Sequence, residues 1–160
     1  MPETTLRPFD PADAPWLIER HSTLYAQADG FDATFAPLVA TILDEFIASR
    51  DPGAEAGWIA ENAGLRVGSI FCVRLDNQTA KLRLFLLEPQ MRGQGLGKLM
   101  LAHCMAFARQ AGYSQMKLWT HESHKAACAL YAATGWRMTA SRPVHSFGCA
   151  LVEQSWQIDL

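Results

Sequence analysis

Apolar positions along this chain follow first a helical and then a strand period, and the switches between the two mark out its elements. After a short strand at 5–8, Asp10 or Asp13 can cap a helix carrying Trp16, Leu17, Leu24 and Ala28, which Gly30 stops. A second helix is predicted from Asp32, with Phe35, Leu38, Val39, Ile42, Leu43 and Phe46 on one stripe at spacings of three and four. Asp51-Pro52-Gly53 ends it, because proline cannot donate to the helical ladder. The period then shortens to that of strands at 57–61, 65–74 and 80–87. Turns at Asn62-Ala63-Gly64 and Asp76-Asn77 join them into an antiparallel meander.

Helical spacing returns at 95–111, with Leu96, Leu99, Met100, Cys104 and Phe107 on the inner face and Gly112 as the stop. A strand at 116–120, a helix at 124–133 stopped by Gly135, and strands at 136–140 and 150–158 complete the order. No internal repeat or low-complexity tract interrupts it. The prediction is one α/β domain over residues 1–160, with a mixed, mostly antiparallel twisted sheet of about seven strands and about four helices. The final strand, left exposed, could pair across a homodimer.

Charge and composition narrow the function classes. With 14 basic and 16 acidic residues and no run of Lys or Arg, nucleic acid is not an expected partner. No apolar stretch approaches the roughly 20 residues that span a bilayer, and the N-terminus lacks a signal-peptide pattern. A cytoplasmic protein without membrane contact is expected. Cys72, Cys104, Cys128 and Cys149 lie widely spaced inside apolar segments, as reduced packing thiols do.

The candidate chemistry begins at Arg92-Gly93-Gln94-Gly95-Leu96-Gly97, between a strand and a helix. Glycines there let backbone N–H groups point inward together, the helix N-terminus adds partial positive charge, and Arg92 and Lys98 add full charges. Such a cradle suits a phosphate. Its spacing excludes a Walker loop, which needs glycine where Arg92 stands and Ser or Thr where Leu99 stands. The dinucleotide fingerprint fails as well, since its third glycine slot holds Lys98.

The segment from Leu87 to Met100 resembles the acyl-CoA-binding motif of the GNAT superfamily of N-acetyltransferases. A second stretch, His124-Lys125-Ala126-Ala127-Cys128-Ala129-Leu130-Tyr131-Ala132-Ala133-Thr134-Gly135-Trp136, is similar to that family's Asn-x-x-Ala-x-x-Leu-Tyr-x-x-x-Gly-Phe helix, with His124 in the Asn place. Segments such as Arg20-His21-Ser22-Thr23-Leu24-Tyr25-Ala26-Gln27 and His145-Ser146-Phe147-Gly148 look like acetyltransferase domains found behind MarR-type winged-helix domains. No such DNA-binding half is expected in these residues. The resemblance implies acetyl-CoA as co-substrate, with its pyrophosphate on the amides of Arg92, Gly93, Gln94, Gly95, Gly97 and Lys98. It also implies a pantetheine arm pairing with the strand that ends at Leu86 and Leu87, and a contact from His124.

It further implies Tyr131 as the general acid near the CoA sulfur. Taking a proton from an amine of pKa about 10 falls to a base or water chain, for which Glu88, His145, His21, Glu122 and His121 are candidates. His145 is favoured, as a histidine in the loop before the last strand. A backbone N–H of Leu86 or Leu87, freed by a strand bulge, is expected to meet the oxyanion. His21, Tyr25, Phe31 and Phe35, beside Asp29 and Asp32, are the expected pocket for a small-molecule or protein amine. His121, His124 and Cys128 match no zinc signature, so no metal is expected. Two functions follow: acetyl transfer to a primary amine, or a non-catalytic acyl-CoA sensor.

Overall fold

The computed structural model describes residues 3–160. The chain opens with β1 (Thr4–Pro8), α1 (Ala14–Asp29) and α2 (Phe35–Ser49), then a meander of β2 (Ala56–Asn62), β3 (Leu65–Arg74) and β4 (Thr79–Leu87). It continues through α3 (Leu96–Gln110), β5 (Gln115–His121), α4 (Lys125–Ala133), β6 (Arg137–Ser146) and β7 (Cys149–Asp159). Among the described residues, seven strands form one mixed sheet in the order β1-β2-β3-β4-β5-β7-β6. Of these strand pairs β4 and β5 run parallel, as the crossover through α3 requires, and the others antiparallel.

Two apolar layers cover the sheet. On one face α1 and α2 pack Leu17, Val39, Leu43 and Phe46 against Ile59 and Phe71. On the other, α3 and α4 bury Met100, Leu101, Cys104 and Tyr131 against Ile70, Cys72, Leu82, Met116 and Leu118. Among the described residues no helix is long and apolar enough to cross a membrane.

Local signals act as the residue types dictate. Asp10 accepts from the Ala12 N–H and forms a reciprocal cap with Asp13 over the short helical turn that precedes α1. Gly30, at φ 77, ends α1 in the left-handed conformation that glycine adopts without a Cβ penalty. Asp32 caps a turn by accepting from the Thr34 N–H at 2.9 Å, so α2 begins at Phe35, three residues later than its sequence suggests.

Several expectations are corrected. Leu38 is 42% and Leu99 55% exposed, so neither belongs to its helix's inner stripe, whereas Leu101, Met105 and Ala108 do. β6 runs on through Pro143 to Ser146, where Phe147-Gly148 turn it directly into β7. That hairpin seats on the α1–α2 connection: the Phe147 carbonyl accepts from the Asp32 N–H at 2.9 Å, and the Phe147 ring lies 4.8 Å from that of Phe31. β7 is therefore an interior strand, and the exposed edge beside it is β6.

Candidate active site

Pairing between β4 and β5 extends only over Thr79–Lys81, and beyond Lys81 the two strands part. Within β4 the register against β3 steps from Phe71↔Arg83 to Ser69↔Leu86, leaving Leu84 and Phe85 as a bulge. Leu84 takes φ 52, an uncommon value for a branched residue. The buried Ser69 hydroxyl fixes it there by donating to the Leu84 carbonyl at 2.7 Å. A bulge bends its strand and interrupts the ladder.

A cavity of about 710 Å³ occupies the opening. Its walls come from Phe85, Leu86 and Leu87 on β4, Leu24 and Tyr25 on α1, and Thr120, His124 and Tyr131 across the gap. Because N–H groups alternate sides along a strand, the Glu88 N–H bonded to Val67 at 2.9 Å places the Leu86 N–H toward β3 as well. The N–H of Leu87 therefore faces the cavity, and that of Leu86 does not.

One end of the cavity is the glycine loop. Gly93 and Gly95 adopt φ 77 and 80, and open space lies where a Cβ would stand. Gly95 also starts α3 without a capping side chain, leaving the first-turn amides to whatever the cavity holds. Lys98, Gly97 and Arg92 line this end, with Arg92 Nη2 donating to the Leu87 carbonyl at 3.3 Å. Gln94 turns back on its own loop, donating to the Gln90 carbonyl at 3.3 Å, and does not line the cavity.

Tyr131 is 3% exposed and stands in the wall, with the rings of Trp136 and Trp156 at 5.6 and 6.0 Å. Burial raises its phenol pKa far above the ordinary value. Tyr25 is pushed up to about 12 by the same desolvation, with Asp29 adding to it. His124 stands at the N-terminus of α4 and stacks on Tyr25, ring centroids 4.9 Å apart. Its Nε2 donates to Asp29 Oδ2 at 2.7 Å, and its Nδ1 lies 3.3 Å from the Thr120 hydroxyl.

Other sequence candidates fall elsewhere. Glu88, 6% exposed, is held by Arg20 through Nε–Oε1 at 2.5 Å and Nη2–Oε2 at 2.9 Å, so it is neither solvated nor a free base. His145 lies in β6 rather than in a loop, pairs with Ala150, is exposed and lines no part of the cavity. His21 is 1% exposed with Nδ1 on the Leu17 carbonyl at 2.8 Å, and burial lowers its pKa to about 4. It takes a core position between Leu17 and Leu24, not a pocket position. Phe31 and Phe35 are buried behind Tyr25 and pack on Phe147 instead of walling the cavity. Glu122 is exposed and pairs with Lys125 at 3.5 Å. His121, half-buried, has its pKa lowered by desolvation first and by His124 second.

Sequence spacing gave no sign of the Asp29–His124 bond, since 95 residues separate its partners. Asp29 closes α1 and His124 opens α4, and only the packing of both ends over the cavity brings them together.

A sheet parted beside a glycine-loop helix defines an acyltransferase architecture, and the chain belongs to the acetyltransferase (GNAT) family, whose model matches residues 14–136. Among its relatives is human N-acetyltransferase 8B, 32% identical over 93 residues, which cover 55% of this chain and 41% of that protein. The chain spans about half or less of the length of such relatives. An acetyltransferase of the GNAT family from Staphylococcus aureus Mu50 superposes with a TM-score of 0.80 at 19% identity, over 99% of each chain. Another, from Elizabethkingia anophelis with acetyl-CoA bound, gives 0.67 at 16% identity over 98% of each. At such identities the likeness is one of fold.

Proposed function

We propose that the chain is an N-acetyltransferase moving the acetyl group of acetyl-CoA to a primary amine by direct attack in a ternary complex. The observation that carries this reading is the continuous cavity between the left-handed glycine loop and the buried Tyr131. A loop with room before Gly93 and Gly95, uncapped amides and two flanking cations fits a pyrophosphate. The unpaired edge of β4 fits an amide-bearing arm that adds to it as a strand would.

Each residue then has a definable task. The Leu87 N–H faces the cavity as the oxyanion donor, a role that no side-chain substitution touches directly. Tyr131 keeps its proton at every working pH, so it serves the departing thiolate as a hydrogen-bond donor more readily than as a full proton donor. Arg92 and Lys98 bring positive charge to the phosphates, and His124 shapes the wall where acyl group and amine meet. The acceptor is an amine of a small molecule or a protein, in a reducing cytoplasm that suits four free thiols.

Thermal unfolding with acetyl-CoA, ATP or NAD, followed by CoA release against a panel of amines, tests the reading. Stabilisation by acetyl-CoA and amine-dependent CoA release are expected. Stabilisation by ATP or NAD alone would remove the donor assignment. Binding of acetyl-CoA without release above hydrolysis would favour the sensor.

A further inference from the structure

An amine acceptor arrives mostly as ammonium near neutral pH, with a pKa of about 10, and one proton must leave before nitrogen can attack. None of the bases expected from sequence stands free in the cavity wall. Glu88 is clamped by Arg20, His21 is sealed in the α1 core, and His145 lies out on β6. One imidazole does line the cavity, that of His124.

Its hydrogen bonds define what it can do. Asp29, with its side chain 4% exposed, accepts from Nε2 at 2.7 Å, which fixes the Nε2–H tautomer and leaves Nδ1 as the basic atom. The Thr120 hydroxyl, 3.3 Å from Nδ1, can donate to a bare nitrogen or accept from a protonated one. The site therefore holds a proton on or off Nδ1 without leaving a polar atom unpaired. Stacking on Tyr25 keeps the ring plane in place, and Thr120 itself opens on the cavity.

We infer that the Asp29–His124 pair is the proton acceptor for the incoming amine, with Thr120 between Nδ1 and the cavity. In this step an ammonium N–H bond breaks, its proton passes through the Thr120 hydroxyl to Nδ1, and the electron pair stays on the nitrogen that attacks the thioester. Asp29 stabilises the imidazolium that forms. The charged and titratable groups facing His124 are Asp29 and Tyr25 from α1, His121 from β5, and Lys125 beside it on α4. Arg92 of the glycine loop lies near enough to act on Tyr25. Asp29 is the carboxylate in direct contact with the ring.

This assignment rests on the acetyl-transfer reading, and two measurements separate their fates. Histidine-selective nitrogen NMR of the full chain needs no substrate; peaks lost in His124→Gln identify the residue. A His124 ring protonated at Nε2 and losing that preference in Asp29→Asn is expected, and a ring protonated at Nδ1 would overturn the inference. The second measurement is CoA release with the primary amine that the unaltered protein turns over best. His124→Gln and Asp29→Asn should each lower kcat/KM for the amine about a hundredfold at pH 7, and Asp29→Asn should keep the acetyl-CoA-induced rise in melting temperature. The deficit should shrink toward nothing as pH approaches about 10, where the amine supplies its own neutral form. A deficit that ignores pH, or no deficit, would overturn the assignment and leave acetyl transfer standing. Absence of turnover with every amine would remove both.

Discussion

Arg20 holds Glu88 through two parallel hydrogen bonds of 2.5 and 2.9 Å, tying the middle of α1 to the residue that follows the cavity strand β4. A carboxylate beside the cofactor strand invites a catalytic reading, but both of its oxygens are committed. Arg20→Ala would strand a buried anion, and a loss of about 3 kcal/mol in denaturant unfolding is expected. Glu88→Gln should cost less and leave the shape of the pH–rate profile unchanged. A lost limb in that profile would restore Glu88 as a base.

Tyr131 presents a proton that burial holds more tightly than water would. An unperturbed phenol already sits about 1.5 units above an alkyl thiol, and burial widens the gap, so complete transfer to the thiolate is uphill. Tyr131→Phe is therefore expected to lower kcat roughly ten- to a hundredfold, with acetyl-CoA affinity unchanged in calorimetric titration. Unaltered kcat in the purified variant would remove the hydroxyl from the mechanism.

The glycine loop and the helix that carries Tyr131 were legible in the sequence because each depends on neighbours within a few positions. Gly93 and Gly95 declare a left-handed loop, and Leu130-Tyr131 with Gly135 declare a helix and its stop. Contacts made by folding across the chain were not legible. Glu88 reads as solvated before Pro89 until Arg20, 68 residues earlier, closes on it. His145 reads as a loop residue because Pro143 breaks the strand pattern, although proline is tolerated on the edge strand that β6 turns out to be. Leu38 and Leu99 fit helical stripes by spacing, yet α2 meets the sheet along a narrower line and α3 along one displaced toward Leu101 and Met105, and both leucines stay exposed.

Two buried groups make the fold sensitive to acid. His21 has its pKa lowered from 6.5 to about 4 by burial, so the unfolded chain binds a proton that the folded chain refuses between those values. Its neutral form contributes stability above pH 6.5 that is lost as pH falls toward 4, about 3 kcal/mol in all. Asp13, despite burial that raises it, is held down at about 2 by hydrogen bonds from Arg7, the Asp10 backbone and Arg66. Its contribution of about 2 kcal/mol persists through that first window and is lost below pH 3.8. Unfolding free energies measured from pH 7 to about 2 should fall in two stages, and His21→Leu should flatten only the upper one. A single stage unaltered by that substitution would contradict the burial of His21.

Two glycines near the cavity should fail for different reasons. A Cβ on Gly68 of β3 would stand 2.8 Å from the Leu86 carbonyl, a backbone atom that cannot move aside without β4 moving with it. Gly68→Ala is thus expected to cost about 2 kcal/mol, in the range of an overpacked core, and to weaken acetyl-CoA binding by displacing the strand that the donor would pair with. Gly95 has no neighbour in the way, so Gly95→Ala meets only the penalty of φ 80, about 1 kcal/mol. Relaxing that strain would turn the amides at the start of α3, and acetyl-CoA affinity should drop with a smaller loss of stability than Gly68→Ala shows. Melting curves and acetyl-CoA titration of the two variants read the difference: if Gly95→Ala lost stability as Gly68→Ala does while binding acetyl-CoA normally, the loop would be a structural turn and the cradle would lie elsewhere.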